Sequence, residues 1–259
     1  MKKQYTKQQI VEAIKHWESV LKRMNETTHN LLSIFVDKYG NDLVLSDNRS
    51  FNLNNRIAYE LFDILNDNVF NSKLPHTKIF CEVYNEIIAE LKHRKSNIPS
   101  NAFYGMFNTI AEDEKLKSLN DRLEYRDDLI IINTSLVNNS NFMFACSSLC
   151  HEMIHLYGKI YGEESLCDKY WLLYKINIDV HTTPTFIKMK RKANNMGLTV
   201  INNAAGLDFS ELNSEAFKNM LNSIVNDGIN LDENETSNSI IMSKKIPGVG
   251  TNISHIDYI

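Results

Sequence analysis

The sequence predicts an α+β domain, and three observations carry that prediction. Apolar residues recur at helical spacing over several separate stretches, and short β-branched or aromatic runs stand between them. One long helix-forming run, residues 141–161, is apolar along one side and carries a cluster of polar groups on the other. The expected architecture is a short mixed or antiparallel sheet laid over that long helix.

The elements follow in order along the chain. Residues 6–24 fit one amphipathic helix, with Ile10, Val11, Ile14, Trp17, Val20, Leu21 and Met24 on one face and Thr6 as N-cap. Residues 25–50 are mixed and hold turn-prone stretches at 39–42 and 46–48. A second helix over about 55–70 carries Ala58, Leu61, Phe62 and Leu65, until Leu74-Pro75 breaks the pattern. Strand-like runs occupy 78–83, 102–107 and 129–132, and the charged stretch 112–128 reads as a hairpin tip or surface excursion. Beyond the long helix, Thr183 as N-cap and Pro184 as first helical residue open a helix over 184–195, which Gly197 closes. After residue 205 the chain turns polar, with one helix around 211–225 and a loop-like finish at 247–250. The expected division is a helical N-terminal extension (1–54), a central domain (55–205) and a C-terminal extension (206–259).

Composition narrows the function classes. With 259 residues, 43% hydrophobic and 23% charged, the chain can bury a core without disulfides. Its four cysteines are scattered with no C-x-x-C pair, which excludes a zinc ribbon or a thioredoxin-type site. Cys146 and Cys150 fall on the long helix and read as small apolar core residues. A formal net charge of −4 argues against a surface built for strong nucleic-acid binding. The basic run from Lys188 to Lys192 reads as a solvated helix face. No leader-like start and no apolar stretch of about 18 residues is present, so a cytoplasmic protein without a membrane span is expected. Asparagine makes up roughly one residue in eight, a usage common in bacteriophages and low-GC bacteria.

The chemistry concentrates in His151-Glu152-Met153-Ile154-His155. At about 100° per residue, His155 falls about 40° from His151, so both imidazoles leave one face a single turn apart, with Glu152 beside them. Phe142, Leu149, Met153, Leu156 and Ile160 gather at the opposite pole. Two imidazoles so placed grip one zinc ion, while the carboxylate reaches a water on it. Such an ion makes the water acidic and polarises a carbonyl, and Glu152 acts as the general base. A chance H-E-x-x-H in a chain with eight histidines has a probability of roughly one in a hundred. For the third ligand, His181 stands at a rigid corner just before a helix start. Its rivals are Glu163, Glu164, Asp168, Asp179 and His255. Glu163 and Glu164 come about two turns after His155 and are expected to point along the same helix.

Five ordered blocks resemble the SprT-like family of zinc metalloproteases. Glu60-Leu61-Phe62 through Leu74-Pro75 is similar to the family's leading helix and its exit. Ala102-Phe103-Tyr104-Gly105-Met106-Phe107 resembles the strand before the active site, and Ile130-Ile131-Ile132-Asn133 the strand that precedes the active-site helix. The fourth block is Leu149–Tyr157. The fifth, His181 with Phe186, Met189, Ala193-Asn194 and Gly197-Leu198-Thr199-Val200, resembles the third-ligand helix and the strand after it. Phe186 stands one residue later than in the family's His-Gly-x-x-Phe pattern. The stretch from His155 to His181 is longer than is common and holds Tyr170-Trp171-Leu172-Leu173-Tyr174. The likeness covers about residues 55–205. It implies a zincin-like fold, zinc held by His151, His155 and His181, Glu152 as the catalytic carboxylate, and endopeptidase action on a protein or peptide substrate. The apolar face of the N-terminal helix is expected to be buried either on the central domain or on a docking protein partner. Two other functions are open: a structural or assembly protein, such as a phage particle component, built on a zinc-stapled domain, and a protease acting on DNA–protein crosslinks.

Overall fold

The structure is a computed structural model that describes residues 31–45, 51–99, 103–112, 116–138, 140–202 and 207–210, and the backbone of 251–258. The helices expected over 6–24 and 211–225 lie outside the described residues.

The architecture is α+β, built on a four-stranded sheet of order β1-β3-β2-β6. β1 (Lys78–Glu82) runs parallel to β3 (Glu124–Asn133), and β2 (Phe103–Glu112) runs antiparallel to both β3 and β6 (Thr251–Tyr258). The sheet is therefore mixed. Alternation along its strands sorts side chains to two faces. Phe103, Met106, Leu129 and Ile131 meet Ile87 and Leu91 of helix α4 (Tyr84–His93). Ile79, Cys81, Phe107, Ile130 and Ile132 join the main core with α3 (Asn55–Asn68), Val137 of the short α5 (Thr134–Val137) and α6 (Phe142–Tyr161).

β2 and β3 both run past their apolar runs. The charged stretch read as an excursion supplies the first half of β3, whose residues 124–128 stay largely exposed before the strand enters the core. Of the connection between the two strands, the described residues 116–123 form neither helix nor strand. Helix α4 was not anticipated. Its two buried residues, Ile87 and Leu91, stand one turn apart and make too narrow a stripe to register as an amphipathic helix.

The expected boundary at residue 54 cuts through packed structure. Helix α1 (31–39) and the short α2 (Asn41–Val44) are separated only by Gly40, at φ 86. They place Leu31, Phe35 and Val44, with Phe51 and Leu53, in the main core. Phe142, at the start of α6, lies 5.3 Å from the ring of Phe35, 5.2 Å from Tyr39 and 5.1 Å from Phe51. The described residues before residue 55, 31–45 and 51–54, are thus packed into the domain's core. Phe142→Ala removes the shared ring of this cluster and should cost about 3–5 kcal/mol, read as a lower denaturant midpoint in equilibrium unfolding. A loss below about 1 kcal/mol would show that α1 packs only loosely on α6.

At the other end, the loop-like finish read at 247–250 is followed by a strand. Residues Thr251–Tyr258 lie along the edge of β2, a placement set by a distant strand and not by local alternation.

Candidate metal centre

Helix α6 begins where its N-cap directs, with the Asn141 side chain accepting from the Phe144 amide at 2.9 Å. Phe142, Leu149, Met153 and Leu156 are buried as the helix's back face, whereas Ile160, expected beside them, is 42% exposed on the last turn. The His-bearing front is buried as well. His151 is 2% exposed, Glu152 0%, His155 1% and His181 5%, so α6 is a core helix whose polar side lines an interior site.

His181 arrives from a separate element. Asp179 ends the two-residue strand β4 (Ile178–Asp179), which pairs in parallel with β5 (Leu207–Asp208), and a 3-10 turn, Val180–Thr182, carries His181 to the start of α8 (Pro184–Asn195). Thr183 caps α8 through the Phe186 amide and Pro184 begins it, as the sequence predicted. Gly197, at φ 97, lies just past its end.

The three histidines converge through the same atom. The Nε2 of His151 lies 3.0 Å from that of His155 and 3.2 Å from that of His181. Each Nδ1 is engaged elsewhere: His151 with the Ile201 carbonyl at 2.9 Å, His155 with Glu164 Oε1 at 2.8 Å, and His181 with Asp179 Oδ1 at 2.8 Å. The Ile201 carbonyl can only accept, and Asp179 and Glu164 accept when ionised; in that state each Nδ1 carries the proton and each Nε2 presents a lone pair. Three lone pairs turned on one another inside a buried space repel unless a cation lies among them. Two nitrogens about 2.0–2.1 Å from a tetrahedral ion stand about 3.3 Å apart, close to the spacings seen here. The buried group of His151, His155 and His181 can therefore hold a metal ion. Phe186 closes its side, with its ring 5.1, 5.2 and 4.8 Å from the rings of His151, His155 and His181.

Glu152 lies against β2. A Cβ added at Gly105 would stand 2.5 Å from Glu152 Oε1, so the strand approaches this carboxylate more closely than any residue but glycine permits.

The rivals for third ligand take other roles. Asp179 orients His181 and also accepts its backbone amide at 3.0 Å. Glu164 supports His155 from behind, a result the sequence reading missed. That reading ran the helix straight on, whereas α6 stops at Gly162 and α7 (Glu164–Tyr174) starts a new direction that brings Glu164 back. Glu163 accepts the Thr185 amide at 3.1 Å. Asp168 is ion-paired with buried Lys159 and accepts from the Tyr125 hydroxyl at 2.5 Å. The backbone of His255 pairs with Phe107 in the sheet. Two carboxylates weighed as ligands thus act on ligands instead, the arrangement that fixes imidazole orientation in metal sites. Burial pushes the Glu164 carboxyl well above the ordinary carboxylate range, and the Lys159 charge pulls it back. A cation held by His155 would act in the same direction as Lys159.

Gly158 makes room for this support. A Cβ there would stand 2.7 Å from Glu164 Oε1 and 2.9 Å from its Cγ and Cδ. Glu164 is fully buried and has little space to retreat. Gly158→Ala should displace its carboxylate from His155 and weaken metal affinity by about 10–100-fold, measured by chelator competition. Unchanged affinity would show that Glu164 does not set the His155 ring.

The other chemical candidates fall away from the site. All four cysteines are buried, and burial pushes the Cys146 and Cys150 thiols up, consistent with core packing. The basic run divides: Lys190 donates to Asn202 at 2.8 Å and Lys192 to Asn71 at 2.9 Å, which ties α8 to neighbouring loops, while Lys188 and Arg191 are exposed. Among the described residues no helix is long and apolar enough to cross a membrane. Comparison with protein-family models, curated proteins and solved structures finds no match for this chain.

Proposed function

We propose that the chain is a zinc-dependent endopeptidase of the SprT-like, zincin kind, acting on a protein substrate. One observation carries this reading. The Nδ1 atoms of all three imidazoles are committed, to Ile201, Glu164 and Asp179, which turns three Nε2 atoms toward one another, and Glu152 follows His151 on the same helix. Zinc suits an all-nitrogen set of three because it accepts four-coordination with one position open.

His151, His155 and His181 would hold the ion. Bound there, zinc supplies a Lewis acid that polarises a peptide carbonyl and makes water acidic near neutral pH. Glu152, one residue after His151, takes the proton of the attacking water and passes it to the departing amine. Asp179 and Glu164 keep two ligand rings in the required tautomer, and Phe186 helps exclude bulk water from the three rings. Protein or peptide is the substrate class, and strong nucleic-acid binding is not part of this reading.

A second reading draws on the near-complete burial of the site: a zinc-stapled structural or assembly protein, in which the ion only joins α6 to the turn before α8. Metal analysis followed by casein-cleavage and self-cleavage assays separates the two. The peptidase reading expects about one zinc per chain and cleavage that a chelator abolishes and added zinc restores. A folded, zinc-loaded but inert chain sinks it and leaves the scaffold.

A further inference from the structure

Three consecutive residues at the corner between α6 and α7 each reach a part of the chain that carries a histidine. Gly162 closes α6, its amide donating to the Gly158 carbonyl at 2.9 Å. Its backbone lies against the start of α8: a Cβ added there would stand 2.7 Å from Thr185 Cβ and Cγ2 and 2.8 Å from its Oγ1. Glu163 opens α7 with its carbonyl, which accepts the amides of Leu166 and Cys167. Its side chain goes the other way and accepts the Thr185 amide at 3.1 Å. Glu164 turns back to His155 at 2.8 Å.

The corner is itself held from behind. One turn after Glu164, Asp168 is ion-paired with Lys159 of α6 and accepts from the Tyr125 hydroxyl of β3. His155 and Lys159 stand one turn apart on α6, and Glu164 and Asp168 one turn apart on α7, so two rungs join the helices.

Thr185 matters because of where it stands. It is the second residue of α8, four residues after His181. Pro184 has no N–H, and Thr183 takes the amides of Phe186 and Ile187 on its hydroxyl and carbonyl, which leaves the Thr185 amide to Glu163. A carboxylate there also suits the positive end of the helix. The stretch between His181 and Thr185 is short and bonded to itself, with the Thr183 amide and hydroxyl donating to the Val180 carbonyl at 3.1 and 2.8 Å. A shift at Thr185 is therefore passed to His181. Metal sites tolerate only about 0.2 Å in each ligand distance, so a small shift there is enough to be felt.

We propose that the Gly162-Glu163-Glu164 corner is a clamp that sets the spacing between the two halves of the metal site. Gly162 and Glu163 are positioning residues for His181, as Glu164 is for His155.

The proposal rests on the zinc half of the reading above and needs no catalysis, so its test is zinc affinity of the full chain, measured by chelator competition. Gly162→Ala should weaken zinc binding by about 10-fold or more, and adding Thr185→Gly should recover most of the loss by removing the atoms in the way. Glu163→Ala should weaken binding several-fold. Glu163→Gln, whose amide oxygen still accepts the Thr185 N–H, should stay close to wild type. Phe142→Ala, at the far end of α6, should keep wild-type affinity despite its loss of stability. Wild-type affinity in both Gly162→Ala and Glu163→Ala overturns the proposal and leaves zinc binding intact. Losses that Thr185→Gly and Glu163→Gln fail to recover overturn it too. So does an equal loss in Phe142→Ala, which would make affinity a reflection of stability alone. The two Glu163 variants, at a half-buried residue, decide the matter even if Gly162→Ala fails to fold. A wild type that takes up no zinc removes the zinc reading itself, and the clamp with it.

Discussion

His155→Ala should purify without its metal, while a matched control, His76→Ala, should retain about one ion per chain. His155 supplies one of three converging Nε2 atoms, and its ring is 1% exposed. Replacing it by a methyl leaves two imidazoles, and the free energy of a closed protein site is spread over its ligands. Loss of one ligand of three should lower affinity by about 10³-fold or more, beyond what ordinary purification preserves. The same change removes the contact of Glu164 Oε1 with His155 Nδ1, 2.8 Å long in a fully buried setting. Loss of a buried hydrogen bond to a charged group costs about 1–3 kcal/mol, so the variant should also unfold at lower denaturant. His76 lies 4.0 Å from Asp63 with its side chain 75% exposed, far from these constraints. Metal analysis of the three proteins reads the outcome. Equal zinc in wild type and His155→Ala would show that the convergence of rings is not the binding site.

What the sequence disclosed, and what it did not, follows the range of the forces involved. Helix α8 was legible to the residue, because Thr183, Pro184 and Gly197 are local signals that act within a turn. His151, Glu152 and His155 were legible for the same reason: one helical turn fixes their mutual placement whatever surrounds them. His181 could be singled out only by its position at a helix start, since what brings it to α6 is tertiary. Glu164 and Asp179 were weighed as ligands but not as supports. Distinguishing a carboxylate that touches a metal from one that touches an imidazole requires knowing the path of the chain after Gly162 and the cap at Asp179. Helix α7 was missed for a related reason. Two of its four buried residues, Glu164 and Asp168, are acidic, and with Cys167 and Tyr170 they leave no clear apolar stripe at helical period. The sheet divided in the same way. β1 and the buried half of β3 announced themselves as apolar runs, whereas the outer half of β3 and all of β6 owe their strand form to partners far off in sequence.

On the peptidase reading, Glu152→Gln should keep the metal and lose the reaction. The substitution preserves volume, which matters where β2 lies against the carboxylate at Gly105. It removes only the capacity to take a proton near neutral pH. General-base catalysis contributes about 10²–10⁴-fold, so cleavage of casein should fall by at least two orders of magnitude. Zinc content should not fall, because the converging group is His151, His155 and His181, and Glu152 stands outside it. Stability should hold or rise, since a carboxylate at 0% exposure is replaced by a neutral amide that needs less solvation. The three readouts together separate roles that activity alone would confuse. Loss of zinc along with activity would make Glu152 a ligand. Retention of both zinc and wild-type cleavage would move the base to another residue. Retention of zinc and fold with loss of cleavage is the signature of a carboxylate that handles the proton and holds nothing else in place.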